Sequence, residues 1–170
     1  MKIIYALLVP IVLCSCNTSS KNEKENKKAI ENNQSKIAET NTDYTIAVNF
    51  MNNYVDYISD TIGKISDDEF IKKNKFVTQQ FKDRYKTIID SANKAEPEVG
   101  LDFDPIIDGQ DYPDKGFKIK SIDEKNGFVT LSGIDWTDFE VAVKVVNENN
   151  KTFVDGSGII NIPTNKQAKR

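Results

Sequence analysis

Two rhythms in the sequence and the short turns between its later segments predict an α+β domain. Apolar side chains recur every three or four residues between positions 43 and 95, and every second residue after position 115. Three helices followed by about four sequential strands with short connections argue a curved antiparallel meander with the helices packed on one face.

The first helix is expected over about 43–60, with Asp43 as its N-cap. Its apolar face is Tyr44, Ala47, Val48, Phe50, Met51, Tyr54 and Val55, and Gly63 ends or follows it. Ser66-Asp67-Asp68-Glu69 is a capping-box signature that opens a short helix carrying Phe70 and Ile71. Thr78 caps a third helix with Phe81, Tyr85, Ile88, Ile89 and Ala92 on one face, closed by Pro97 and Gly100. Core packing accounts for these aromatic stripes better than a ligand groove does.

Phe117, Ile119 and Ser121 then alternate with Lys118, Lys120 and Ile122, and Lys125-Asn126-Gly127 supplies a hairpin turn. A returning strand covers 128–134, with Gly133 as a bulge. In the next strand Phe139, Val141, Val143 and Val145 face the helices, while Glu140 and Lys144 face away. A turn at 147–151 leads to a last strand over 153–162, where Gly156 and Gly158 mark a bulge.

The N-terminus carries an address. Lys2 precedes an apolar run of 11 residues, 3–13, which is too short to span a bilayer and reads as the h-region of a signal peptide. Leu13-Cys14-Ser15-Cys16 comes next and resembles the bacterial lipobox, with Leu at −3, a small residue at −1 and the acylated Cys at +1. Cys14 as the modified residue would put bulky Leu13 next to the cleavage site, so Cys16 is expected to carry the lipid. Residues 1–15 are then a lipoprotein signal peptide, and the membrane is a partner through the acyl chains. Asn17 is not the aspartate that retains lipoproteins at the inner membrane. By that resemblance the chain is expected on the outer membrane of a Gram-negative envelope; a periplasmic orientation is expected beside it and is not part of what the resemblance implies.

Residues 17–42 hold six Asn, five Lys and four Glu, with no aromatic residue. Such a segment buries too little to offset the entropy of ordering and reads as a tether. As a coil its 26 residues reach on the order of 30 Å. The domain organisation is therefore lipidated Cys and tether over 16–42, one α+β domain over 43–163, and a polar tail over 164–170.

Composition removes whole classes of chemistry. The chain has no histidine, which excludes Ser-His-Asp and Cys-His nucleophiles, imidazole proton shuttles and histidine metal sites. Both cysteines lie within the first 16 residues, so no disulfide framework is expected. A formal charge of −3 gives no electrostatic reason to bind nucleic acid. No catalytic motif and no cofactor fingerprint is legible, and a binding or scaffold role is expected in place of an enzyme.

Three stretches carry a family resemblance: FVTQQFKDRYKTIIDSA at 76–92, GLDFDPIIDGQDYPDKGFKI at 100–119 and VDGSGIINIP at 154–163. Together they resemble a family of small bacterial envelope lipoproteins and secreted proteins catalogued as a domain of unknown function. The resemblance covers about 43–163 and implies the cone-shaped nuclear-transport-factor-2-like (cystatin-like) fold and an envelope location. It implies no reaction, since one fold hosts many functions. Immunity proteins against envelope toxins recur on that fold and give an alternative role.

The chemical oddity is the segment 95–114, AEPEVGLDFDPIIDGQDYPD. It contains seven carboxylates, three of the chain's five prolines and no Lys or Arg. Residues 43–163 carry 22 acids against 14 bases, a net of −8, and this stretch supplies most of the excess. Three readings compete. In the first, the aspartates cap turns while Phe103, Ile106, Ile107 and Tyr112 plug the open end of the fold. In the second, Asp102, Asp104, Asp108, Gln110, Asp111 and Asp114 recognise a basic patch on another envelope protein. In the third, Asp102, Asp104, Asp108 and Asp111 supply oxygen to Ca²⁺, although their spacing is not that of an EF-hand.

Trp136 and Asp155 are candidate pocket residues. Asp155 with Asp104 or Asp108 is the one carboxylate pair to nominate for acid–base chemistry in a hydrolase or isomerase. Asp155-Gly156-Ser157-Gly158 has no Walker-type lysine after it and is rejected as a nucleotide site.

Overall fold

A computed structural model describes residues 42–168, which lie in one unit. Cys16, the signal peptide and the tether up to residue 41 fall outside the described residues, as do 169 and 170. The fold is α+β: helices α1 (Thr45–Ser59), α2 (Asp67–Lys73) and α3 (Gln79–Ala95), then strands β1 (Phe117–Asp123), β2 (Phe128–Gly133), β3 (Glu140–Glu148) and β4 (Lys151–Ser157). The sheet is an antiparallel meander in the order β1-β2-β3-β4. A short 3-10 turn, Thr164–Lys166, comes after the sheet, so helical structure is not confined to the N-terminal side.

Local signals set the helix starts. Ser66 Oγ accepts from the Glu69 N–H at 3.3 Å, and Thr78 Oγ1 accepts from the Phe81 N–H at 3.0 Å. Each cap satisfies an amide that the helix itself leaves unpaired. Asp43 instead closes a tight turn one step earlier, accepting from the N–H of Thr45 at 3.0 Å and its hydroxyl at 2.6 Å, and Tyr44 stands at the N-cap.

Helix α1 crosses the sheet, touching β1, β3 and β4, while α3 packs on β4 and α2 leans on α3. The core joins Phe50, Met51 and Tyr54 of α1 to Phe81 of α3 and to Val129, Leu131, Val141, Val143 and Val154 of the sheet. Phe50 and Phe81 meet edge-on with ring centres 5.6 Å apart. Fully burying each such side chain contributes about 1.5–3 kcal/mol. The expected register of β3 holds: Val141, Val143 and Val145 are buried and Glu140 is exposed. Lys144 is a correction. It is half-buried and reaches Asp155 Oδ2 at 3.5 Å, not solvent alone.

Asn52 of α1 brackets the start of β1, accepting from the Phe117 N–H at 2.7 Å and donating to its carbonyl at 3.1 Å. On the far edge, the Val154 N–H donates to the Phe76 carbonyl at 2.8 Å, and the Thr78 N–H to the Val154 carbonyl at 3.0 Å. The α2–α3 link thereby covers part of the β4 edge, which would otherwise offer unpaired backbone groups.

Three sequence expectations about the sheet are corrected. The bulges fall at Lys120 and Asp155, whereas Gly133 pairs regularly with Phe117. Gly133 is needed for close approach: a Cβ there would collide with the Trp136 carbonyl and the Pro113 ring. The turn before β4 is shorter than 147–151, because Asn149 and Asn150 both take positive φ, 50° and 61°, and reverse the chain in two residues. β4 stops at Ser157, and Ile160 folds back to pair with it. The segment expected as a polar tail packs on the domain as far as it is described. Lys166 lies over the Phe128 ring at 4.8 Å, and Gln167 donates to the Ile162 carbonyl at 2.8 Å.

Candidate functional site

The acidic segment folds around one tight turn. Asp104 and Gly109 pair across it, and between them Asp108 adopts a left-handed φ of 65°. Asp104 organises the turn. Its Oδ1 accepts from the N–H groups of Ile106 at 2.7 Å and Ile107 at 3.0 Å, and its Oδ2 accepts from the Tyr54 hydroxyl at 2.6 Å. Ile106 and Ile107 themselves are fully buried in the core. The first reading of the segment, with capping aspartates and apolar plugs, describes this inner half.

Strand β4 holds the turn from the other side. Ser157 Oγ donates to the Ile106 carbonyl at 2.8 Å, and the Ile159 N–H donates to the Pro105 carbonyl at 2.9 Å. Gly158, at φ 60°, lies against the Pro105 and Ile106 carbonyls, where a Cβ would collide. Asp155 links the bulge of β4 to α3, accepting from the Thr78 hydroxyl at 2.8 Å. The three stretches 76–92, 100–119 and 154–163 therefore meet in one region of the molecule.

Burial raises the Asp104 carboxyl above the ordinary aspartate range, opposed by the Tyr54 hydroxyl and the two amides that bond to it. Tyr54 is pushed up in turn, first by burial and then by the Asp104 charge. Tyr57 shifts the same way through burial and its hydrogen bond to Asp67 at 2.6 Å. Burial also raises Tyr85, helped by the charge of Asp67. All three phenols remain protonated at neutral pH.

The outer part of the segment builds a cleft of about 360 Å³ lined by Asp102, Phe103, Asp108, Gly109, Gln110, Asp111, Trp136, Phe139 and Ala168. Trp136 is 46% exposed and meets Phe139 edge-on at 4.9 Å between ring centres. Phe139 is braced from behind by Phe117 at 6.0 Å, which ties the wall to the core. At the floor, a Cβ on Gly109 would stand 2.9 Å from the Phe139 ring, so the glycine permits that packing. Asp102, Gln110 and Asp111 are exposed around the aromatic wall, and Gln110 donates to the Asp102 carbonyl at 3.2 Å. Asp108 is 6% exposed, and its Oδ2 accepts from the Ala168 N–H at 2.7 Å.

No family model, curated protein or solved structure matches the chain. The site's own geometry carries the functional argument.

Of the residues singled out in the sequence, Asp102, Asp108, Gln110, Asp111 and Trp136 come together in this cleft, and Asp104, Asp114 and Asp155 do not line it. Asp104 spends both oxygens on the turn and Tyr54, and Asp155 spends its own on Thr78 and Lys144. Asp104 and Asp155 are therefore bonded to separate sets of partners. Among the described residues no group of three or more His, Cys, Asp or Glu side chains is placed to hold a metal ion. Sequence reasoning missed Phe139 as a cleft wall and Gly109 as its floor. The available signal was the spacing of Trp136 and Phe139 across a turn, closed by the Phe139 N–H donating to the Trp136 carbonyl at 3.1 Å.

Proposed function

We propose that this chain is an envelope lipoprotein, anchored through lipid on Cys16 to the outer membrane and facing the periplasm, whose domain binds a protein partner and performs no chemistry. The observation that carries the binding role is the half-exposed Trp136 standing over a cleft rimmed by Asp102, Gln110 and Asp111. A large aromatic side chain left accessible beside a rigid wall is a feature of recognition surfaces. The leader sequence and lipobox support the anchor. No helix among the described residues is long and apolar enough to cross a membrane, which accords with anchoring by lipid. The order of three helices and then a meander supports the cone-shaped fold and, with it, kinship to the envelope family that the three stretches resemble.

The test is site-specific cross-linking in the membrane-bound full chain. A photoreactive residue at Gln110 should trap one species of constant mass, while the same residue at Lys86, on the exposed face of α3, should trap none. Equal trapping at both positions, or none at Gln110, would remove the cleft from the function. Labelling with a fatty acid should be abolished by Cys16→Ser. Persistent label in that variant would reassign the anchor to Cys14.

A further inference from the structure

We infer that the Trp136 cleft seats a single cationic side chain, arginine above all, projecting from a basic peptide segment of the partner. This rests on the reading of the cleft as a partner site and specifies the chemistry it takes. Its wall is aromatic, formed by Trp136, Phe139 and Phe103, while the charged residues among its lining are Asp102, Asp108 and Asp111, with no Lys or Arg among the described lining residues. The surrounding domain, 43–163, is acidic, at −8. An anionic peptide would meet repulsion with no compensating Lys or Arg among the described lining residues, and a wholly apolar one would strip water from the exposed Asp102 and Asp111.

The geometry also separates one cation class from another. A divalent ion needs several oxygens converging on one point, and no such group exists among the described residues. A guanidinium needs something else: a plane to stack on and carboxylates spread around its rim. Trp136, accessible over 46% of its surface and held edge-on by Phe139, offers the plane. Asp102 and Asp111, both exposed and in the same lining, offer the rim. About 360 Å³ accommodates one long side chain and not a folded element. The aliphatic stem of arginine would cover the apolar wall while its head stays at the wet, acidic edge.

The chain has one tryptophan, so tryptophan emission, excited selectively over the tyrosines, reports on this cleft. The full chain in detergent is titrated with heptapeptide sets that carry arginine, citrulline or glutamate at the centre and mixed residues elsewhere. The arginine set should give a saturable change at 50 mM salt that weakens several-fold at 500 mM, and the citrulline and glutamate sets should give none. Asp102→Asn with Asp111→Asn, both at exposed positions, should weaken the arginine response about tenfold while leaving the far-UV circular dichroism of the unliganded chain unchanged. Equal responses to arginine and citrulline would overturn recognition of charge. An equal response to free argininamide would overturn the peptide in favour of a small amine. If no set responds while Gln110 still cross-links a partner, the cation inference falls and the binding reading stands. If neither responds, both fall.

Discussion

Asp104 and Asp111 lie seven positions apart in one acidic segment and end in opposite situations. Asp104 is desolvated and takes three hydrogen bonds, from Tyr54, Ile106 and Ile107. Asp111 stands exposed on the rim of a cleft. The difference comes from the neighbours on the C-terminal side of each. Pro105 behind Asp104 stiffens a turn whose next two residues are isoleucines, and burying those isoleucines brings their amides onto the carboxylate. Asp111 is followed by Tyr112 and Pro113, which pack without offering amides to it. One half of the segment is therefore a structural clasp and the other a surface, and each can be perturbed separately.

The largest effect should come from Asp104→Ala. It leaves the Tyr54 hydroxyl and two amides without their acceptor in a poorly hydrated place, at a cost of about 2–4 kcal/mol. Denaturant unfolding followed by far-UV circular dichroism measures it. A loss below 1 kcal/mol would mean that the clasp is incidental and that Ile106 and Ile107 hold themselves.

Gly158→Ala attacks the same clasp from the strand side. The residue has φ 60°, and its Cβ would run into the carbonyls of Pro105 and Ile106. A loss of about 1–3 kcal/mol is expected from the strain and the displaced turn. Combined with Asp104→Ala, the two losses should sum to more than the double variant loses, because both release one turn. Strict additivity would break the idea that 104–109 and 157–159 form a unit.

How much of this was legible depended on the range of the interaction. The caps at Ser66 and Thr78 and the alternation in β3 are written within a few residues, and they read correctly. Gly133 reads as a bulge in sequence because a glycine in a strand has two meanings, and the Trp136 and Pro113 contacts that decide between them are tertiary. The opposite error arises at Lys144, where alternation places a lysine outside but does not show the bulge that brings Asp155 to it. The cleft was half visible. Its acidic rim was contiguous in sequence, whereas Trp136 and Phe139 of its aromatic wall come from the β2–β3 connection some 25 residues later and needed the fold to join them.

The clasp also has a pH signature. Burial raises the folded-state pKa of Asp104 above its unfolded value of about 3.9. A raised carboxyl binds its proton more tightly when folded. Its stabilising contribution is thus complete below the unfolded value and is lost as pH rises through the folded value. Asp104→Asn keeps an acceptor for the turn amides and removes the titration. The stability difference between wild type and Asp104→Asn should therefore move against the wild type from pH 3.5 to pH 7. A flat difference would show that the three donors cancel the burial completely.

The rim carboxylates should move stability least. Asp102, Asp111 and Asp114 are all exposed, and neither Asp102 nor Asp111 has a cation within ion-pairing distance among the described residues. Each Asp→Asn change there removes a charge that water already solvates, so single losses should stay within about 0.5 kcal/mol. The sign is informative. In a domain with a net charge of −8, removing one negative charge relieves repulsion, so the changes should be neutral or slightly stabilising at low salt. Raising the salt to 0.5 M should erase even that gain, because screening then acts over only a few ångströms. A loss above 1 kcal/mol at Asp102 or Asp111 would assign the rim to the clasp, and the contrast between the two halves of the segment would collapse.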